Sequence, residues 1–594
     1  MEFVRLKGMG VSPGIAMGEA SLSRRVVFTS RREPIDPGHV DDELTRLGKA
    51  VARTRKELVK LREKIQSEVG EEHAFIFDAH LMILEDPSLM GSLEKIIRDD
   101  AVRAEWALSR INAKYEAVFD SLKDEYFRQR KADLSDVLAK VYRNLEKIRE
   151  KEPEPGKRRV LVAHELLPSE AALSLSRETV LGVALDVGGP TSHTAILARS
   201  LNIPAVVGLR NITQWVKNGD YLIVDGTIGE VMVNPPQAVR REYLSKRDKY
   251  DTYRTELRKT AKLKSETLDG VSFTPLANIE LPEEAATALS LGAEGIGLFR
   301  SEFIYLQSLE VPTEEDHFAC YASIARAVHP QPVFIRTIDI GGEKSIPQLN
   351  IEKEPNPALG LRGIRFSLRN REMFRLQLRA VLRASSGKNV RVLIPMVTEI
   401  EELNEAKAVF EEVKDGLRRN KIKFDENIPL GVMIEVPAAA AMADVLIREA
   451  DFLSIGTNDL IQYYLAVDRS NEFVSYLYKS FHPAVLRLIR DVIRAAHRAG
   501  KSVTVCGEMA AEPLSAMVLL GLGLREFSMN PIFIPKVKKA LRSVETGTLE
   551  KACREALDLR SAQEIEEFVI ESVMARHPDA FLMSGDNGGS KKRN

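Results

Sequence analysis

The 594-residue chain carries 85 Lys and Arg against 86 Asp and Glu, so it has no global positive field to hold nucleic acid or an acidic membrane surface. Three widely spaced cysteines, Cys320, Cys506 and Cys553, argue against a disulfide framework and fit a reducing compartment. The first twenty residues lack the apolar core of a signal peptide and no apolar run nears the roughly 18 residues of a membrane span, so the expectation is a cytoplasmic protein with no membrane and no nucleic-acid partner.

The length predicts three domains and a linker. Gly8 to Gly18, G-x-x-x-S-P-G-I-A-x-G, reads as strand and turn, too short for a domain by itself. From Val40 the apolar residues Val40, Leu44, Leu47, Val51, Leu58, Leu61 and Ile65 recur in steps of three and four, with polar Thr54 at one register position, which predicts a long amphipathic helix. Helical stretches follow at Ala74 to Leu84, Leu93 to Asp99, Val102 to Leu122 and Leu134 to Leu145, broken at Asp86-Pro87. Residues 35–149 therefore read as a bundle of about four helices, with the stripe as its core.

Glu152-Pro153-Glu154-Pro155-Gly156-Lys157 is a turn-rich boundary. Strand-like runs at Val160 to Ala163, Val183 to Leu185 and Tyr221 to Val224 then build an α/β unit. Its first strand is expected from the amino terminus, which makes the bundle an insertion into a discontinuous domain of residues 1–34 and 150–235. Within it stands Gly188-Gly189-Pro190-Thr191-Ser192-His193-Thr194, followed by Ala195-Ile196-Leu197-Ala198-Arg199. Two glycines allow a sharp turn and His193 falls at a helix start, displayed to solvent as a nucleophile is. A lone histidine there is more often a cap or a packing residue, and its neighbours have to decide. Arg240 to Lys264 contains neither Pro nor Gly, is dense in charge and repeats Tyr243, Tyr250 and Leu257 at heptad intervals. It predicts one exposed helix of about 25 residues, roughly 40 Å long, within a linker at 236–264.

From Ser265 apolar runs alternate with amphipathic helices: Leu276 to Ile279, Gly295 to Phe299, Val333 to Ile335, Val390 to Ile394, Gly431 to Ile434, Phe452 to Ile455 and Ser502 to Val505, with Gly363 to Phe366 as a weaker fourth. Eight such units predict a TIM (β/α)8 barrel over residues 265–575, and the tail 576–594 has nothing to bury and is expected to be disordered. In a barrel, chemistry falls just after the strands. Arg300 follows strand two, Arg336 strand three, Asn458 and Asp459 strand seven, while Glu435 ends strand six and Cys506 strand eight. Arg362 would reach the rim from the loop after strand three. Any one of these could be a cap or packing residue. Three guanidiniums and two carboxylates on one rim suit a phosphate ester carrying a carboxylate, with a divalent metal between.

The histidine segment G-G-x-T-S-H-T-A-I-x-A-R-S-L-x-I-P-A-V-V-G resembles the phosphohistidine segment of phosphoenolpyruvate-utilising enzymes, closest to the Enzyme I group of the sugar phosphotransferase system. The barrel motifs G-I-G-L-F-R-S-E-F, R-T-I-D-I-G-G-E-K, N-P-A-L-G-L-R-G-I-R, G-V-M-I-E-V-P-A-A, S-I-G-T-N-D-L-x-Q-Y and C-G-E-M-A are similar to that group's phosphoenolpyruvate site, and the match runs from Gly8 to about Ala575. The resemblance implies that His193 takes phosphate from phosphoenolpyruvate in a swivelling domain. It implies that Arg300 and Arg336 hold the phosphoryl group and that Arg362 lies close to the substrate. Asn458 and Arg469 would hold the carboxylate, Glu435 and Asp459 Mg2+, and Cys506 would protonate the enolpyruvate carbon. It further implies that the bundle docks the phosphocarrier HPr, with Ala74 to Leu81 most like the docking helices, and that the barrel forms a homodimer. Pro190 departs from the arginine common in sugar-system members, which bears on the partner more than on the chemistry. Pyruvate phosphate dikinase and phosphoenolpyruvate synthase need a nucleotide-binding domain with a glycine-rich phosphate loop, and none is visible. A nitrogen-branch Enzyme I is usually marked by an amino-terminal sensory domain, and a catalytically inactive carrier-binding protein would be expected to lose one of the rim charges.

Overall fold

The computed structural model describes residues 3–23, 31–68, 71–120, 125–146, 158–176, 178–189, 192–307, 310–341, 354–469, 471 and 473–574. The turn at Glu152 to Lys157, Pro190, Thr191 and the tail 576–594 lie outside them, as does the His193 side chain. The chain divides into two compact units, one ending at Thr252 and the other beginning at Tyr253.

In the first unit β1 (Val4–Lys7), β2 (Met9–Ser12) and β3 (Ile15–Leu22) precede five helices, α1 (Val40–Glu68), α2 (Glu71–Glu85), α3 (Pro87–Asp100), α4 (Ala104–Asp120) and α5 (Glu125–Glu146). Then come β4 (Arg159–Ala163), α6 (Pro168–Ser174), β5 (Val180–Leu185), α7 (His193–Ser200), β6 (Ala205–Val207), α8 (Ile212–Trp215), β7 (Tyr221–Asp225), β8 (Glu230–Val233) and α9 (Gln237–Ala261). The eight strands form one sheet in the order β1-β8-β7-β3-β4-β5-β6-β2. β3 lies between antiparallel β7 and parallel β4, so the five helices leave and rejoin the sheet between two adjacent strands.

Five helices form where the bundle was expected to hold about four, each falling on one of the predicted helical stretches, with the break at Asp86-Pro87. Pro87 takes the first helical position, where no N–H is needed, and the Asp86 side chain caps the Ser88 N–H. The polar residue in the α1 stripe is also explained. Thr54 is fully buried, its hydroxyl donating to the Ala50 carbonyl (2.9 Å) and accepting from Asn144 (2.9 Å). His80 is buried as well: Nε2 stands 3.3 Å from Asp133 and Nδ1 3.8 Å from Asp136. In α9, Tyr243 is buried against Met17, Ile223 and Met232, so that helix is not exposed all round.

The second unit is a closed parallel barrel of β9 (Thr274–Ile279), β10 (Ile296–Arg300), β11 (Val333–Arg336), β12 (Val390–Ile394), β13 (Leu430–Ile434), β14 (Phe452–Ile455), β15 (Ser502–Val505) and β16 (Glu526–Met529), with β16 pairing back to β9. The expected fourth strand is a correction. Gly363 to Phe366 opens a helix, Gly363–Arg369, entered through Gly363 at φ 56, where a Cβ would come within 2.6 Å of the Met396 side chain. A four-residue apolar run is compatible with either element. The eighth strand is Glu526–Met529, which lacks an apolar run because alternate residues make polar bonds: Glu526 accepts from Thr504 (2.7 Å) and Ser528 donates to Asn278 (2.6 Å). Glu435 therefore follows the fifth strand, Asn458 and Asp459 the sixth, and Cys506 the seventh. No helix among the described residues is long and apolar enough to cross a membrane.

Leu276, Leu298, Phe334, Leu393, Met433, Phe452 and Cys506 form one buried cluster contributed by seven of the strands or their ends. Gly431 leaves room for it: a Cβ there would lie 2.4 Å from the Phe452 ring, which packs 4.9 Å from Phe334. Gly431→Ala is expected to lower unfolding stability by ~1–3 kcal/mol through overpacking. Thermal melting of the variant checks this, and an unchanged midpoint would show that the ring has room to move.

Candidate active site

Parallel strands deliver their last residues to one end of the barrel, and Arg336 ends β11 there with 6% of its surface exposed. A buried guanidinium requires carboxylate partners. Nη2 lies 2.5 Å from Glu302 and Nη1 3.1 Å from Asp339, both acids buried. Asp339 is shared: Arg362 donates to it through Nε (3.2 Å) and Nη2 (2.9 Å), and the same Nη2 reaches Asp459 at 3.0 Å. Arg362 Nη1 donates to Tyr463 OH (2.9 Å), which donates to the Ala358 carbonyl (2.5 Å).

Arg300, Asn458 and Arg469 sit nearer solvent. Arg300 pairs with Glu280 at 2.6 Å, and Arg469 lies 3.5 Å from Glu508. Asn458 accepts the Glu508 N–H at 2.9 Å, and its own carbonyl accepts from Tyr478 OH at 3.3 Å. Glu435 is buried and accepts the Met396 N–H at 2.7 Å. The Cys506 thiol accepts from the Ser454 hydroxyl (3.4 Å) and donates toward the Ile455 carbonyl (3.6 Å). Arg300, Arg336, Arg362, Glu435, Asn458, Asp459, Arg469 and Cys506 all line one cavity. Gly507 keeps it open, since a Cβ there would meet the Thr457 hydroxyl at 1.8 Å.

Charges in this cavity shift one another. Burial, then Asp459 and Asp339, push the Glu435 carboxyl up to about 8. Burial alone would lower the Arg336 guanidinium, but Glu302 and Asp339 outweigh it and hold it above its ordinary value, and Asp339 and Asp459 do the same for Arg362. Burial pushes the Cys506 thiol up to about 11, so at neutral pH it keeps its proton. Sequence reasoning passed over Glu302 and Asp339, although both stand inside the quoted arginine motifs. The need of a buried arginine for carboxylates was the signal that could have found them.

His193 lies in the other unit, as the first residue of α7. Ser192 caps that helix, its hydroxyl accepting the Ala195 N–H at 3.3 Å, and Thr194 donates to the Leu166 carbonyl at 3.3 Å. Gly188, at φ 133, supplies the turn before them.

Fold and mouth together define a multidomain protein whose barrel carries a densely charged cavity at its strand ends. Comparison with known proteins narrows the class. Residues 7–130 match the model of the PEP-utilising enzyme N-terminal domain, 155–229 the PEP-utilising enzyme mobile domain, and 254–546 the PEP-utilising enzyme PEP-binding domain. The phosphoenolpyruvate-protein phosphotransferase of Geobacillus stearothermophilus is 42% identical over 566 residues, 95% of this chain and 97% of that protein. That of Staphylococcus carnosus (strain TM300) is 39% identical over 568 residues, 96% of this chain and 99% of that protein. A match to a solution structure of Enzyme I, 42% identical, covers 41% of this chain and 99% of that one, with a TM-score of 0.36. The chain belongs to the phosphoenolpyruvate-protein phosphotransferase family of phosphoenolpyruvate-utilising enzymes.

The raised Glu435 carboxyl makes stability pH-dependent. Its value moves from 4.5 to about 8 on folding, so the folded protein binds an extra proton across that window and loses stability as pH rises through it. Without divalent cations, Glu435→Gln is expected to melt several degrees above the parent protein at pH 8 and to converge with it near pH 5. Calorimetry at both pH values tests this, and a parent protein that is the more stable at pH 8 would contradict it.

Proposed function

We propose that the protein moves the phosphoryl group of phosphoenolpyruvate onto His193, releasing pyruvate, and then onto a histidine of a small HPr-type phosphocarrier, the first step of sugar phosphotransfer. The observation that carries this reading is the cavity itself, where Arg300, Arg336, Arg362 and Arg469 surround buried carboxylates at the strand ends. Arg300 and Arg336 hold the phosphoryl oxygens, Arg362 lies beside them, and Asn458 and Arg469 hold the substrate carboxylate. A neutral His193 nitrogen attacks phosphorus in line, the bond from phosphorus to the enol oxygen breaks, and the enolate carbon takes the proton of the Cys506 thiol to give pyruvate.

Glu435 and Asp459 fit a divalent cation, because a further positive charge is what lets Glu435, Asp459 and Asp339 all ionise together. Mg2+ is typically held by one or two carboxylates with substrate oxygens and water, a share that Glu435 and Asp459 can supply. When bound, Mg2+ neutralises charge on the phosphoryl group and the enolate.

His193 and the arginines belong to different units, so the histidine domain has to bring His193 to the mouth and away again. Asn234 is tied to Tyr221 by two hydrogen bonds (2.8 and 3.1 Å) and Tyr243 holds α9 to the same unit, which supports a swivel beyond them, toward the Lys264 end of the linker. The α1–α5 bundle is the carrier's docking domain. A homodimer through the barrel is supported by exposed Phe473, Tyr476 and Leu477 after β14. Free Cys320, Cys506 and Cys553 support a cytoplasmic site of action.

Pyruvate release and acid-labile labelling with radioactive phosphoenolpyruvate and Mg2+ test the whole. His193→Ala is expected to lose the label while still binding phosphoenolpyruvate, and label persisting in that variant would remove His193 from the reaction. Glu435→Gln and Asp459→Asn should each slow pyruvate release by roughly 10²- to 10³-fold. Because Glu435 must lose its proton to hold the ion, apparent Mg2+ affinity should rise with pH and level off above about 8. An affinity independent of pH between 6 and 8 would take Glu435 out of the metal site.

A further inference from the structure

A buried chain of hydrogen bonds joins the ends of β10 and β11. Gln377, on the helix Arg371–Ala384, is 1% exposed. Its Oε1 accepts the Ile338 N–H at 3.0 Å. A backbone N–H can only donate, so the amide orientation is fixed, and Nε2 donates to Ser301 Oγ (2.9 Å) and to Tyr321 OH (3.0 Å). The Tyr321 hydroxyl is also hydrogen-bonded to His317 Nδ1 at 2.8 Å, and His317 Nε2 to Tyr305 OH at 3.1 Å. His317 is fully buried, and burial pushes its pKa down to about 4, so at neutral pH it is uncharged and each ring nitrogen bonds a tyrosine.

The anchor points matter. Ser301 stands between Arg300 and Glu302, and Ile338 between Arg336 and Asp339. The structure assigns Gln377 as a positioning residue of the phosphoryl site: Arg300 and Arg336 already face each other across the β10–β11 ladder, and by tying Ser301 to the Ile338 backbone Gln377 holds the two segments just beyond them, which carry Glu302 and Asp339, with His317 supporting the tie through Tyr321. Glu302 bridges the same two strand ends by charge, at 2.5 Å from Arg336. Gln377 adds a neutral, directional bridge that persists when the arginines turn to a ligand. The inference rests on the reading of the mouth as the phosphoenolpyruvate site.

The test uses the full chain carrying Gln377→Met, which keeps length and packing and removes every hydrogen bond of the tie. Pyruvate release is measured against phosphoenolpyruvate concentration, and His193 is separately phosphorylated from the phosphorylated carrier, a step that does not use the mouth. The expected result is a fall in kcat/KM of ~10- to 100-fold, carried mainly by KM, with phosphorylation from the carrier unchanged. Gln377→Glu, held protonated by the same burial, keeps the acceptor and one donor and should restore most of the loss. Parental kcat/KM in Gln377→Met would overturn the assignment, as would equal losses in the Met and Glu variants. Should Gln377→Met fail to fold, Ser301→Ala removes one arm with little change in volume. A several-fold rise in KM supports the tie, and an unchanged KM refutes it. If the parent protein itself released no pyruvate, the reading of the mouth would fall, and not the tie.

Discussion

A guanidinium inside a barrel has to be surrounded by carboxylates, and Arg336 imposes that condition on the whole mouth. Glu302 meets it from the end of β10 and Asp339 from the loop after β11. Asp339 in turn draws in Arg362, and Arg362 reaches Asp459 after β14 and, through Tyr463, the Ala358 carbonyl. Loops that share no backbone bonds are thereby held in one geometry. Taking such ions out of water costs several kcal/mol each, and breaking one pair costs about 3–5 kcal/mol, so the network is weak as a source of stability and strong as a constraint on shape.

The same network is unbalanced. Its inner part sets buried Glu302, Asp339 and Glu435 and half-buried Asp459 against Arg336 and half-buried Arg362, and Glu435 is the carboxyl that stays mostly protonated at neutral pH. Arg300 and Arg469 do not correct this, because each is already paired at the rim, with Glu280 and Glu508. An incoming anion can exchange with those rim acids and gain two guanidiniums. It brings more negative charge toward Glu435, which is the electrostatic case for the proposed magnesium ion. Preorganised donors of this kind act most strongly where water is excluded, and the depth of Arg336 and Glu435 meets that condition.

The strand ends were legible because β-strand runs such as Val333 to Ile335 and Gly431 to Ile434 are apolar on both faces, as parallel barrel strands are. Glu526–Met529 was not, because Glu526 and Ser528 make polar bonds to Thr504 and Asn278 and break the apolar run. Gly363 to Phe366 misled for the opposite reason, an apolar run too short to reveal its period. Most of the cavity residues could be read from their places after strands, Arg362 only as an exception in the loop after strand three, and Arg469 from the resemblance alone. Gln377 could not be read at all: its partners Ile338, Tyr321 and Ser301 are 39, 56 and 76 residues away, and nothing local distinguishes it from a helix surface residue. Thr54 and His80 show the same limit, since a polar residue in an apolar stripe gives no sign of its partner.

Cys506 shows how one environment decides between two chemistries. A cysteine with a lowered pKa is a thiolate and a nucleophile; this thiol is pushed up to about 11 by burial and keeps its proton at neutral pH, which suits donation. Donation also leaves a thiolate behind, and that ion has to be tolerated for the length of a turnover. Ser454 donates its hydroxyl to the sulfur, and Arg336 and Arg300 lower the thiol's pKa through their charge, so burial is opposed by the groups that would stabilise the ion. Glu435 acts the other way, raising the pKa while it is charged. Whatever neutralises Glu435 therefore makes Cys506 the better acid, so that the state of the carboxylate beside the proposed metal and the readiness of the thiol to protonate the enolate are coupled through the same few ångströms of low-dielectric space.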